Sequence, residues 1–412
     1  TASRKLEDLR DPYKNYNKMA LTEVAKMSPS INWTDYLPTI GVKKADSIIV
    51  GQPEFFKALD GLLTSVPLQD WKSYVKFNLI SDMAAVLPDS YGKASFEYNK
   101  LFSGAKERRP RWKRSIQMIE GAMGEMLGQL YVKEFFNETA KKRYTVMVEA
   151  IKEALKDRIG KLTWMSDSTK LKAYTKLAAI KSKVGYPDKW KDFSGMKIGN
   201  SSLAENYINS RIWWHEYEYN KMGKPVNRDE WDMYPQTYNA YYNPSNNEIV
   251  LPAGIFTIPG YRDEEVDDAV VYGYGGASTI GHEITHGFDD EGRQFDEKGN
   301  LVSWWTKSDE ETFKNRAAVM IKQFDEFEPV KGYHINGKAT LGETTVQEKN
   351  RYIQSKQNNC YFVKKEFISD IELFSGSNEI LTKKESDLFK SLVFDYSLDN
   401  QKHILDEYLE YF

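Results

Sequence analysis

Residues 281–295 read GHEITHGFDDEGRQF and place two of the chain's five histidines four positions apart. Positions i and i+4 share one face of an α-helix, so the stretch predicts a helix carrying His282 and His286 side by side. With each residue turning about 100°, Ile280, Ile284 and Phe288 form an apolar stripe roughly opposite them. One face is built for a core and the other for a cleft. Two imidazoles on one face can bind a single ion at about 2.0–2.1 Å, and zinc is the usual occupant of such a site. Glu283, about 100° around from His282, is close enough to reach a water on that ion without displacing it. A random chain of this size shows H-E-x-x-H roughly once in 200 sequences, so the pattern carries weight.

A catalytic zinc keeps three protein ligands and one open position. The other histidines are His215, in an aromatic helix, His334, in a turn, and His403, in a compositionally odd tail. His215 and His334 read as packing or surface residues. A carboxylate is the better candidate, and the helix start TLGE offers Glu343 after the tight turn HINGKA. Spacing alone leaves that assignment open.

The 412 residues suffice for two or three domains. With 57 basic and 60 acidic side chains the net charge is −3, which gives no basis for a nucleic-acid partner. The one basic run, KERRPRWKR, reads as a solvated helix start. Cys360 is the only cysteine, which excludes a disulfide framework and a thiolate metal site. No apolar run is long enough for a transmembrane helix and no signal peptide is recognisable. The chain begins TASRKLEDLRDP without a methionine and reads as a processed or excised product.

From 54 to about 186 the pattern is helical almost throughout. Trp112, Ile116, Ile119, Met123, Met126, Leu127 and Leu130 form one apolar stripe; Val148, Ile151, Leu155, Ile159 and Leu162 form the next. Both are expected to be core. GYPDKWKDFSGMKIGNSS, residues 185–202, marks a boundary. After one more helix, YPQTYNAYYN and NEIVLPAGIF flank the turn PSNN and predict a short strand pair. Composition changes again after Glu343: every tryptophan and proline lies at or before it, and the last 69 residues hold only one glycine, Gly376. That tail reads as a separate helical piece or as foreign sequence.

YNAYYNPSNNEIVLPAGIF, YGGASTIGHEITHGFDDEGRQFDEKGNLVSWW and INGKATLGE together resemble the neprilysin family of zinc endopeptidases, in its bacterial oligopeptidase branch. RDPYKNYNKM, RPRWKRSIQMIEGAMGEMLGQLYV and LTWMSDSTKLKAYTKL agree, in family order, from about residue 8 to Glu343. The resemblance implies a mainly α fold with a small antiparallel β portion, a two-lobed zincin. A large helical lobe (1–200, partial) covers the cleft of a thermolysin-like catalytic lobe (201–343), and a divergent helical tail (344–412) follows. It implies one Zn2+ per chain held by His282, His286 and Glu343, with Glu283 as the general base. Asp289 would hold the second ring nitrogen of His286, and Asn239 and Ala240 would grip the substrate backbone as an added antiparallel strand. The expected activity is hydrolysis of internal bonds in short peptides by a monomer. The expected setting is a bacterial cell envelope, periplasm or exterior.

Three departures stand out. Where the family carries Glu-Asn-x-x-Asp, this chain reads Glu343, Thr344, Thr345, Val346, Gln347, so a neutral Gln347 replaces the aspartate that orients His282. The family's D-x-H-x-P and R-x-N-G segments, which supply oxyanion donors, have no match in residues 344–412. Family members also carry a helical stretch ahead of this chain's first residue. The chain therefore reads as the middle of a longer peptidase, and the alternative is a catalytically impaired zinc- or peptide-binding module.

Overall fold

The computed structural model of the chain describes residues 2–42, 44–200, 202–258, 260–267, 271 and 279–343. Gln347 and the tail 344–412 lie outside the described residues. The chain divides into two compact units. One gathers the described residues of Thr1–Pro67, Ile119–Met196 and Arg211–Asn350, and the other those of Leu68–Met118 and Lys197–Ser210.

The chain starts with α1 (Leu6–Leu9), α2 (Pro12–Asn15), β1 (Lys18–Ala20), α3 (Leu21–Met27), α4 (Trp33–Thr39), β2 (Ser47–Ile49) and α5 (Pro53–Ser65). The two strands pair antiparallel with Met19 opposite Ile48. Beside them Val24, Trp33, Leu37 and Val50 form a small core. Then come α6 (Leu68–Met83), α7 (Asp89–Ser103), α8 (Arg111–Phe135), α9 (Glu138–Lys161) and α10 (Asp167–Ala178). Side-chain caps set two of these starts: Asn137 accepts from the Ala140 amide, and Ser166 accepts from that of Thr169. Each satisfies an orphan donor of a first helical turn.

The two apolar stripes meet different fates. Val148 and Ile159 of α9 are buried in the main core, with Ile151, Leu155 and Leu162 packed against it. In α8, by contrast, Trp112, Ile116, Ile119, Met126 and Leu130 are exposed, and the buried positions are Gly124, Glu125, Gly128 and Val132. The helix breaks at Met123 (φ −147°, ψ 45°). Beyond the break it presents its glycine face: a Cβ on Gly124 would lie 2.3 Å from the Tyr234 ring and one on Gly128 2.6 Å from Pro235. Close approach of the 234–236 segment, rather than apolar area, decides which face is covered.

β3 (Lys181–Gly185), α11 (Leu203–Tyr219), β4 (Tyr241–Asn243), β5 (Glu248–Pro252), α12 (Gly281–His286) and α13 (Lys307–Asp325) complete the described elements of regular α or β structure. The strand pair around PSNN forms as expected, with Tyr242 opposite Ile249, and Asn247 takes the positive φ (46°) that the turn requires. A third strand falls inside the stretch expected to be helical. β3 pairs parallel with β5, Val184 opposite Leu251, giving the order β3-β5-β4. The small sheet is thus mixed, with a fully buried central strand. Ile249, Leu251, Ile280 and Ile284 are all fully buried in the same core as α9. The apolar stripe of α12 therefore seats the histidine helix between sheet and helix layer.

Candidate active site

Helix α12 is only six residues long, and its inward stripe leaves His282 and His286 facing out. Their Nε2 atoms lie 3.0 Å apart. The chain returns through the turn at Gly332 and a cap in which Asn336 accepts from the Ala339 amide, and residues 341–343 open a further helical segment. That return brings one Glu343 carboxylate oxygen to 3.4 Å from His282 Nε2 and the other to 3.8 Å from His286 Nε2. Glu283 is buried, and its carboxylate and the two ring nitrogens all lie within 4.8 Å of one another.

The second nitrogen of His286 is fixed. Asp289 Oδ2 lies 2.7 Å from its Nδ1, while Asp289 Oδ1 accepts from the backbone amides of Glu291 and Gly292 at 2.9 and 2.7 Å. With Asp289 already accepting from two amides, Nδ1 serves as the donor of this pair and carries the proton. Nε2 is left as a bare lone pair aimed at the other imidazole. Two ring nitrogens 3.0 Å apart repel unless a proton or cation stands between them. In a tetrahedral site with ligands at about 2.0–2.1 Å, donor atoms lie about 3.3–3.4 Å apart. The two histidine nitrogens, 3.0 Å apart, and His282 Nε2 with the nearer Glu343 oxygen, 3.4 Å apart, lie close to that spacing, while the other Glu343 oxygen is 3.8 Å from His286 Nε2. The donor set fits zinc.

The charges follow the same layout. Burial pushes the Glu283 carboxyl up, and the two histidines offset only part of it. Hydrogen bonding with His282 holds Glu343 below the usual carboxylate range against its own partial burial. Burial works against a charged His286, but the bond to Asp289 and the negative charges of Asp289, Glu283 and Glu343 outweigh it, so its net shift is upward.

These side chains open onto a cavity of about 430 Å³, which Asn239, Ala240, Tyr241 and Tyr242 also line. Asn239 is exposed and bonds its own neighbour, its Oδ1 accepting from the Ala240 amide at 2.9 Å. Both lead directly into β4, one of the two edge strands of the sheet. The structure thus brings His282, Glu283, His286, Asp289, Glu343, Asn239 and Ala240 to one cavity. His215 stands apart, against Tyr219, and the exposed His334 meets the Asp325 carbonyl. Missing from the sequence reading were Glu291, which also lines the cavity, and Asp290. Burial and the neighbouring Asp289 push Asp290 up to about 7. Only the crowding of acids in FDDEGR could have flagged them.

Two models described as Peptidase family M13 match, over residues 1–187 and 239–351. The chain belongs to peptidase family M13, the neprilysin family. Endothelin-converting enzyme 1 of Bos taurus is 32% identical over 349 residues, covering 82% of this chain and 46% of that protein. A neutral endopeptidase of Lactobacillus helveticus is 34% identical over 333 residues, covering 80% and 50%. Among solved structures, the inhibitor complex of the Mycobacterium tuberculosis zinc metalloprotease Zmp1 superposes with a TM-score of 0.78 at 36% identity, covering 84% of this chain and 53% of that one. The M13 chain in hand thus spans about half the length of the relatives it matches. Its mainly helical architecture with a small sheet is that of M13 zinc peptidases. Among the described residues no helix is long and apolar enough to cross a membrane.

Proposed function

We propose that this chain carries the catalytic centre of a zinc metallo-endopeptidase that cleaves internal bonds of short peptides. His282, His286 and Glu343 hold one Zn2+, and Glu283 is the general base. The observation that carries the reading is the convergence of the two histidine nitrogens, 3.0 Å apart, with the Glu343 carboxylate at 3.4 and 3.8 Å from them and Glu283 beside the pair. Bound zinc supplies a Lewis acid that polarises a carbonyl and makes water acidic near neutral pH. Glu283 takes the proton at its carboxylate and passes it to the leaving amine. The burial that raises its pKa suits a base that must also act as an acid. Asp289 keeps the proton of His286 on Nδ1, so that Nε2 is free to ligate. Asn239 and Ala240, at the head of the edge strand β4, take an extended peptide as a further antiparallel strand.

The test is Glu283→Gln. Zinc should remain bound, because the base is not a ligand, while hydrolysis of a fluorogenic peptide falls by about 10²–10⁴-fold or more. Unchanged cleavage in that variant would place the activity elsewhere. A second reading, a zinc- and peptide-binding piece with little turnover, is favoured by the sequence after Glu343, which contains neither D-x-H-x-P nor R-x-N-G. Zinc and peptide binding without measurable cleavage in the parent would select it.

A further inference from the structure

Lys176 is the largest fully buried side chain among the described residues, at 1% exposure, and nothing in the chemistry above uses it. It lies on α10, on the buried stripe made with Thr169, Ala173 and Leu177. Its Nζ is surrounded by rings, 5.7 Å from the centroid of Phe288, 5.8 Å from Trp304 and 6.0 Å from Tyr242. An isolated ammonium in such a place is costly unless it is fully hydrogen-bonded. Its partners are two backbone carbonyls of the loop that follows the histidine helix: Gly292 at 2.6 Å and Phe295 at 2.7 Å.

Those two bonds continue into the candidate metal site. The Gly292 residue that gives its carbonyl to Lys176 gives its amide to Asp289 Oδ1, and Asp289 Oδ2 meets His286 Nδ1. The loop is pressed close enough to the helix that a Cβ on Gly292 would lie 1.8 Å from the His286 carbonyl oxygen. On its other side Lys176 accepts, at its own carbonyl, from Asn247, whose side chain also takes the Tyr242 hydroxyl at 2.7 Å. Tyr242 lines the same cavity as the histidines. Lys176 therefore reaches the loop behind His286 through its side chain and the Asn247–Tyr242 pair through its backbone carbonyl.

We propose that Lys176 is a positioning residue for His286, acting through Gly292 and Asp289, and that it sets zinc affinity without touching the ion. The inference rests on the zinc reading above. It does not need a fixed charge: burial draws the ammonium down to about 7, against the pull of Asp289 and Asp296, and either protonation state supplies the two N–H donors the carbonyls require.

The experiment is a double-mutant cycle of Lys176→Met and Asp289→Asn, read first as zinc affinity by competition with a chromophoric chelator. Each single change should weaken zinc by about 10–100-fold, the usual loss for an outer partner of a metal ligand. The double variant should be no weaker than the worse single one, because both cut the same chain of contacts. Lys176→Gln, which keeps N–H donors without the charge, should recover part of the loss. The second readout is the Nδ1–H resonance of His286 in 15N-edited spectra of the metal-free protein, which Lys176→Met should shift or broaden. That signal does not depend on zinc, so a protein that never binds zinc sinks the functional reading while leaving this link measurable. Unchanged zinc affinity in a folded Lys176→Met protein, additive losses in the double variant, or an unmoved His286 signal each overturn the proposal. If neither Met nor Gln is accepted at 176 without unfolding, the residue is structural and the proposal falls as well.

Discussion

Asp309 offers a test of how the platform under the site is held. It sits in the first turn of α13, 3% exposed, and its carboxylate accepts from the Ser166 amide at 3.1 Å, from the Ser166 hydroxyl, and from the Thr169 hydroxyl at 2.6 Å. The side chain thus locks the start of α10, the helix that carries Lys176, to the start of α13. Burial alone would raise this carboxyl, but the bonds from Ser166, Thr169 and Thr306 outweigh it and hold it at about 2, against an ordinary 3.8. At about 1.4 kcal/mol per pH unit that gap corresponds to about 2.4 kcal/mol. In the unfolded chain water satisfies the same carboxylate, hydroxyls and amide, so we expect a net of about 1–2 kcal/mol. The folded pKa is depressed, so this stabilisation is fully present above about pH 4 and is lost as pH falls through about 2. Asp309→Ala removes the acceptor for a buried threonine hydroxyl and two further donors, and should cost about 3 kcal/mol at pH 7. Asp309→Asn keeps one acceptor and should cost about 1–2 kcal/mol. The assay is urea unfolding at pH 7, 4.5, 3.5 and 2.5, with the midpoint compared at constant m. Wild type should lose its advantage over Asp309→Asn across the two most acidic points. Parallel loss of stability by both proteins over that window, or a cost for Asp309→Ala below about 0.5 kcal/mol at pH 7, would show that this carboxylate does not hold the two helices.

What the sequence made legible depended on whether the deciding interaction was local. The histidine pair and the stripe of Ile280, Ile284 and Phe288 follow from a 3.6-residue period, and Ile280 and Ile284 are fully buried. The PSNN hairpin follows from turn chemistry and forms between Asn243 and Glu248. β3 was hidden because three of its five residues, Lys181, Ser182 and Lys183, are polar and its parallel partner lies far along the chain. Parallel pairing leaves no local turn to announce it. The α8 stripe misled because glycine faces permit the closest approach of a neighbour, and that approach outweighed apolar area at Gly124 and Gly128. Glu343 could be proposed from its helix start but chosen only by resemblance, since nothing within reach of His282 in sequence fixes where a distant carboxylate returns. Lys176 had a signal that went unread: it falls on the buried face of α10 with Thr169 and Ala173, where a lysine is misplaced unless it has partners.

The remaining predictions bear on the metal, the sheet and the sequence after Glu343. Metal analysis of the folded protein should give about one zinc per chain, lost on chelation and absent in His282→Ala; folded protein with no zinc would remove the basis of the functional reading. Lys183 and Glu248 form a 2.8 Å ion pair at 5% and 0% exposure between β3 and β5. Lys183→Met should cost about 3–5 kcal/mol by stranding the Glu248 charge, and Lys183→Met with Glu248→Leu should recover most of it; equal losses in the single and double variants would refute that assignment. The last concerns the sequence after Glu343. Each oxyanion donor is worth about 2.7–4 kcal/mol of transition-state stabilisation, and such contacts form mainly as charge develops. A chimera carrying an M13 C-terminal segment after Glu343 should therefore gain in kcat far more than it changes KM on one fluorogenic peptide. A parent that already matches the chimera's kcat must draw its oxyanion donors from residues other than the D-x-H-x-P and R-x-N-G segments, and the reading of 344–412 as divergent would fall.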